Sequence, residues 1–280
     1  MKIRIWGCRG SLPTPGPSTV KYGGNTTCVE VRLSDGTVII LDAGSGIRKL
    51  GKALAKEENI TVIHLFLTHA HWDHLMGFPF FGPAYLESYK IHVRGGPRAK
   101  RSLRNYLRHQ MEAPYFPVRF DAMKAEFDFT EGDPQKRIIG SAQVVPIRLN
   151  HPNGSYGIKI MEEGKSFVFF TDHELDFIHE KRVDIDGYIN FCKGADLLLH
   201  DAQYTDNEYR LTRGWGHSTF NSATDFSIKA EVRRFGIFHH DPDHTDEQIE
   251  MYVDLCQERI LEANSAVDCF AVQEGIELLV

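Results

Sequence analysis

"THAHWDH", residues 68 to 74, packs three histidines and an aspartate into seven residues. The stretch follows "TVIHLFL" (61–67), an apolar, β-branched run of the kind a buried strand requires. His69 and His71 are two apart, so an extended backbone turns both side chains to the same face. Asp73 and His74 then come from the turn that follows. This is not the i, i+4 pairing of two histidines on one helix. It is a compact loop with two pairs of metal-binding side chains, a pattern suited to two adjacent ions. Imidazole with carboxylate suits zinc, and also manganese or iron.

A two-ion site needs further donors, and the chain supplies them at the ends of other apolar runs. His151 follows "VVPIRLN", Asp172 follows "SFVFFT" and His239 follows "FGIF". Each stands where a strand would deliver it to one rim of a sheet. The stretch "FHHDPDH" (238–244) offers His239, His240 and His244, and local sequence leaves the choice open. Many other runs have the same strand character, among them "KIRIW", "CVEVRL", "TVIIL", "YGIKI", "DLLLH" and "CFAV". Helical patterns fall at 46–56, at 98–112 and at 244–262. In the second of these, Leu103, Tyr106, Leu107 and Met111 share a face. Thr245 is placed to cap the third.

The chain as a whole sets bounds on function. Its 280 residues, 42% hydrophobic and 25% charged, are those of a globular protein with a substantial core. No linker or low-complexity segment divides them, so one domain over 1–280 is expected. The net charge of −6 excludes a surface that binds polyanions everywhere. No apolar run is long enough to span a membrane. "MKIRIWG" reads as a strand rather than a signal peptide. The five cysteines are widely spaced with no CxxC pair, which predicts reduced, buried thiols and a cytoplasmic protein. From 88 to 111 there is no acidic residue, while Arg94, Arg98, Lys100, Arg101, Arg104 and Arg108 fall there. That basic run is either a solvated helix face, a patch that steers anions, or a surface for a second subunit.

On these motifs the sequence resembles the metallo-β-lactamase fold superfamily, over most of its length. "LDAGSG" (41–46), "THAHWDH", His151, Asp172 and His239 look like its five successive motifs. The resemblance implies an α/β fold, a four-layer αββα sandwich with metals at one edge. It implies that His69, His71 and His151 bind one ion, that Asp73, His74 and His239 bind the other, and that Asp172 bridges them. Asp42 would stand behind the ligands and orient them. The family position favours His239 over His240.

Two more stretches resemble the RNase Z branch. "DLLLHDAQY" (196–204) is similar to its "HEAT" motif and "GWGHST" (214–219) to its "HST" loop. A cleaved phosphodiester leaves an alkoxide that needs a proton. His217 could donate it, with Asp201 holding the imidazole and Ser218 and Asn25 near the substrate. His200 would lie behind the site. Tyr22, Phe78, Phe80 and Phe81 are candidates to line the pocket, although the phenylalanines read more readily as core. The departures matter as well. The "PxKxRN" loop of RNase Z is replaced by "PTPGPSTVKYGGN", and "HEAT" has become "HDAQ". Only 20 residues separate His151 from Asp172, too few for a tRNA-gripping arm. The expected function is a phosphodiesterase using two divalent ions, most simply zinc. It would open cyclic or other small phosphodiesters to monoesters through hydroxide held between the ions. RNA 3′-processing is the alternative, followed by thioester or lactone hydrolysis. A homodimer is expected.

Overall fold

The computed structural model describes residues 1–96, 103–130, 134–179 and 183–280. The first half runs β1 (Lys2–Gly7), β2 (Cys28–Arg32), β3 (Val38–Leu41), α1 (Ile47–Leu54), β4 (Val62–Leu67), α2 (Trp72–Leu75), β5 (Lys90–Gly95), α3 (Leu103–His109) and β6 (Glu126–Phe129). The second runs β7 (Arg137–Ile139), β8 (Ala142–Leu149), β9 (Ser155–Glu162), β10 (Lys165–Phe170), α4 (Ile185–Cys192), β11 (Leu197–Asp201), α5 (Asp206–Thr212), α6 (Phe220–Lys229), β12 (Arg234–Phe238), α7 (Asp246–Glu262), β13 (Asp268–Ala271) and β14 (Glu277–Leu279). The strands form two seven-stranded sheets, ordered β14-β1-β2-β3-β4-β5-β6 and β13-β12-β11-β10-β9-β8-β7.

Alternating residues of each strand serve two cores, which is why the runs look continuously apolar. Ile39 and Leu41 face the layer between the sheets, where Ile3, Ile5, Phe66, Phe167, Phe169, Leu199 and Phe238 meet. Val38 and Ile40 face outward to α1, α3 and the chain around Phe78 and Phe81. Across the other sheet, Val168, Phe170 and Leu198 pack on α4, α6 and α7. The result is the expected αββα order of layers.

Strand direction, more than strand order, positions the donor residues. β3, β4, β5 and β6 are parallel, as are β10, β11, β12 and β13. β8 runs the same way as β10, because both are antiparallel to β9. Hence the carboxyl ends of β3, β4, β8, β10, β11 and β12 project toward one rim, carrying Asp42, His69, His151, Asp172, Asp201 and His239 with them. Three of these residues, Asp42, Asp172 and His239, have φ of 63°, 51° and 61°. A left-handed backbone at a non-glycine residue costs free energy and tends to persist where the surroundings fix it.

Two helices match the sequence reading closely, α1 and α7, the latter with Thr245 and Gln248 in a capping box. The third begins, among the described residues, at Leu103, and Arg98, Lys100 and Arg101 lie outside those residues. Asp73 and His74 come from a single helical turn, α2, rather than an irregular one. All five cysteines are buried thiols without disulfides. Among the described residues no helix is long and apolar enough to cross a membrane.

Phe169 is fully buried between the sheets, with its ring edge-on to Phe238 at 5.3 Å. Phe169→Ala should destabilise the protein by about 3–5 kcal/mol, read as a lower denaturant midpoint at unchanged slope. A loss under about 1 kcal/mol would show that this layer is not close-packed.

Candidate metal centre

Among the described residues, two four-residue groups of donor atoms gather at this rim, each within 4.8 Å: His69, His71, His151 and Asp172, and Asp73, His74, Asp172 and His239; a third, Asp201, His217 and His239, overlaps the second. Asp172 belongs to both four-residue groups. Its Oδ1 lies 3.1 Å from His74 Nε2 and 3.3 Å from His239 Nε2. Its Oδ2 lies 3.5 Å from His69 Nε2 and 3.8 Å from His151 Nε2. One carboxylate thus presents one oxygen to each group.

The imidazoles are held from behind. His74 Nδ1 is 2.7 Å from Asp42 Oδ2, and Asp42 also accepts from Thr68 N and Thr68 Oγ1 at 2.7 and 2.8 Å. The Thr68 hydroxyl in turn stands 3.0 Å from His69 Nδ1. His151 Nδ1 donates to the Gly216 carbonyl at 2.9 Å, and His239 Nδ1 to Gln203 Oε1 at 3.0 Å. When the ring is neutral, each contact holds the proton on Nδ1 and leaves the Nε2 lone pair facing inward. Asp73 Oδ2 accepts from the Ser11 amide at 2.8 Å.

The donor set fits divalent ions. His69 Nε2 and His74 Nε2 are buried and make no hydrogen bond, although carboxylate oxygens lie near them. Such atoms converge on a shared point rather than on one another. His151 Nε2, a lone-pair nitrogen, faces His71 Nδ1 at 3.1 Å, a contact that a cation between them would favour. Burial holds His69 well below the usual imidazole range and takes His151 down to about 3, so both are neutral and able to ligate. Burial opposes charge on His74, but Asp172, Asp73 and Asp42 outweigh it and hold that imidazole well above its ordinary value. Burial also works against ionising Asp172, yet His239, His74 and His69 keep its carboxyl well below the usual range. The rim therefore concentrates negative charge of the kind that divalent cations offset.

Beside these groups stands a histidine–aspartate pair. His217 Nδ1 lies 2.8 Å from Asp201 Oδ2. The His217 ring stacks on His239 at 4.9 Å and meets His151 edge-on at 5.4 Å. Burial disfavours its charged form, but Asp201 overcomes this and raises its pKa to about 9. Asp201 also accepts from the amides of His173 and Gln203.

The other residues singled out in the sequence lie behind or outside the donor groups, His239 excepted. Ser218 is buried, its hydroxyl donating to the His173 carbonyl at 2.5 Å and accepting from Leu175 N, so it braces the chain. Asn25 bonds Ser45 and Glu274 on the wall of a separate cavity of about 320 Å³, none of whose lining residues belongs to the donor groups. Tyr22 packs on His240, and Phe78 and Phe81 are core residues, while Phe80 is exposed against Phe116. His200 is buried against His173 and donates to the carbonyl of Asp201. His240 is turned to the Val272 carbonyl and His244 to Glu208, leaving His239 alone of the three in the donor groups.

The sequence reading missed Glu174 and the role of Gln203. Glu174 is fully buried and accepts from the amides of Gly214 and Gly216 at 2.7 and 2.8 Å, from Tyr209 Oη at 2.6 Å and from His179 Nε2 at 2.6 Å. It shapes the loop that carries His217. Gln203, where "HDAQ" departs from "HEAT", orients His239 and donates to Asp241 at 2.8 Å.

The family model for the beta-lactamase superfamily domain matches residues 37–240. Ribonuclease Z of Sulfolobus acidocaldarius is 23% identical over 73% of this chain and 79% of its own length. Among solved structures, yeast PDE1 superposes with a TM-score of 0.71 at 14% identity, covering 100% of this chain and 99% of that one. A diphosphatase from the PhnP family superposes at 0.67 with 17% identity, covering 100% and 97%. The chain belongs to the beta-lactamase superfamily and is a metal-dependent hydrolase.

Proposed function

We propose that the chain is a phosphodiesterase that hydrolyses cyclic or otherwise small phosphodiesters to monoesters, with two divalent ions held by the two donor groups. Zinc suits the imidazole-rich set best, and manganese or iron would also be accepted. The observation that carries the reading is the His217–Asp201 pair, set against His239 and His151. A protonated imidazole there matches the one need of phosphodiester cleavage that metal ligands do not meet, a proton for the departing alkoxide. Thioester hydrolysis, which expels a thiolate, asks less of such a donor.

In this reading His69, His71, His151 and Asp172 hold one ion, and Asp73, His74, His239 and Asp172 hold the second. Divalent ions, when bound, polarise phosphoryl oxygens and make water acidic enough to attack. The chain's own part is orientation and proton delivery. Asp172 sets the spacing between the two positions. Asp42, Thr68, Gln203 and the Gly216 carbonyl keep the imidazoles aimed. Asp201 retains the Nδ1 proton of His217, so the other ring nitrogen carries the proton that reaches the leaving oxygen.

A second reading is RNA processing, favoured by the ribonuclease Z relatives, whose names give RNA as their substrate. The space between His151 and Asp172 speaks against it, because the hairpin of β9 and β10 fills nearly all of it. Small anionic esters fit a site with no gripping arm at that point.

The deciding test is phosphorus NMR of metal-loaded protein with 3′,5′- and 2′,3′-cyclic nucleotides, with and without chelator. Chelator-sensitive conversion to monophosphate is expected. No conversion, with both metals verified in place, would move the assignment to RNA ends. Asp172→Asn should lose bound metal and lower kcat/KM by more than about 10²-fold, the scale for losing one preorganised electrostatic contact. Full turnover with normal metal content would refute its bridging role. His217→Ala should keep both metals and slow cleavage of poor leaving groups by about 10²–10⁴-fold. Activated leaving groups should suffer less. Loss of metal instead would make His217 a ligand.

A further inference from the structure

Two of the chain's three tryptophans stand in the open at the rim of the donor groups. Trp6 is buried, its indole N–H donating to Glu30 Oε2 at 2.8 Å. Trp72 is 74% exposed and Trp215 is 63% exposed. An indole left in water forgoes the burial of a large apolar surface, and exposed apolar groups clustered at one place mark interaction sites.

Both are tied to the centre. Trp72 lies between His71 and Asp73 in sequence. Trp215 precedes Gly216, whose carbonyl accepts from His151 Nδ1 at 2.9 Å, and His151 Nε2 lies 3.1 Å from His71 Nδ1. One imidazole therefore links the neighbours of the two tryptophans. The centre opens on this side: His71 is only partly buried, whereas His69, His74, His151, Asp172 and His239 are buried.

Trp215 is also displayed rather than loose. Glycines flank it, with φ of 88° at Gly214 and 104° at Gly216. A side chain at 216 would meet His151 Nδ1 at 2.1 Å, so only glycine fits there. The carboxylate of Glu174 takes both glycine amides, and Trp215 N donates to the Thr212 carbonyl at 2.9 Å. A buried carboxylate thus anchors a loop whose tip is an exposed indole. Trp72 opens α2, where Met76 N donates to its carbonyl at 2.7 Å. Preorganised aromatic faces beside a reacting centre serve to stack a flat ring.

We propose that Trp72 and Trp215 form a stacking platform for a nucleobase, so that the substrate is a nucleoside phosphodiester rather than a base-free sugar or alkyl phosphodiester. The inference rests on the phosphodiesterase reading for the reaction, and on the anchoring of the two indoles for the ligand. The donor groups would hold the ions that take the phosphate, and the base would cover the indoles at their rim. Stacking tolerates any base, since each has a π-face.

Tryptophan fluorescence, excited beyond nucleotide absorption, tests the platform without turnover. AMP should quench the metal-loaded wild-type protein, and ribose 5-phosphate should not. Trp72→Ala and Trp215→Ala should each weaken AMP binding about 10-fold, and the Phe variants should recover most of it. In kinetics, the ratio of kcat/KM for 2′,3′-cyclic AMP to that for glycerol 1,2-cyclic phosphate should fall by about the same factor in each Ala variant. AMP affinity and ratio both unchanged would overturn the platform while leaving the phosphodiesterase reading intact. So would a wild-type dimer in sedimentation that the Ala variants dissolve with AMP affinity kept, since the indoles would then belong to a subunit contact. AMP quenching that the Ala variants lose, with no phosphodiester cleaved, would uphold the platform and sink the hydrolysis reading.

Discussion

The carboxylate of Asp172 cannot satisfy its neighbours by hydrogen bonding alone. Four imidazoles approach it, two at each oxygen, and at least two of their inward nitrogens find no aligned partner. Burying a charge costs much unless the charge is paired, so a rim with this many converging donors is stable only with positive charge among them. Asp172, Asp73 and Asp42 together draw His74 toward its charged form against the burial that opposes it. Everything around the rim serves to keep the donors pointed inward despite the cost.

The means are mostly backbone and topology. Parallel strands bring their carboxyl ends to one side, and left-handed residues at Asp42, Asp172 and His239 turn the chain as soon as it leaves the sheet. The contacts behind the imidazoles are short and buried, from Asp42, Thr68, Gln203 and a carbonyl of the glycine loop. Glu174 stands one step further back. It touches none of the donor atoms, but it fixes the loop whose carbonyl orients His151 and whose next residue is His217. Precision at the rim therefore depends on a carboxylate that has no part in its chemistry.

How much of this was legible in the sequence depends on the range of each signal. "THAHWDH" was readable because its donors are neighbours in the chain, and the strands because burial on both faces gives continuous apolar runs. The choice among His239, His240 and His244 could not be read locally. Adjacent residues leaving a strand point opposite ways, and the positive φ that turns His239 inward has no residue-type signature. α5 left no apolar stripe to detect, since it buries no residue. Ser218 was drawn toward substrate by resemblance to a motif, whereas its hydroxyl is spent on a backbone carbonyl. Glu174 was invisible because its main partners are amides 40 and 42 residues away. The two open indoles were passed over for a similar reason, since exposure is a property of the fold and not of the letter.

Each four-residue donor group draws two side chains from each half of the molecule: His69 and His71 with His151 and Asp172, Asp73 and His74 with Asp172 and His239. An ion in either position would be a cross-link between the two sheets. Its binding free energy would then be folding free energy as well, because no unfolded chain presents that set of donors. Metal scarcity would act on this protein through its abundance as well as its activity. A chain without ions would not wait as an idle enzyme but would open more often along the seam between its halves, and so meet proteases sooner.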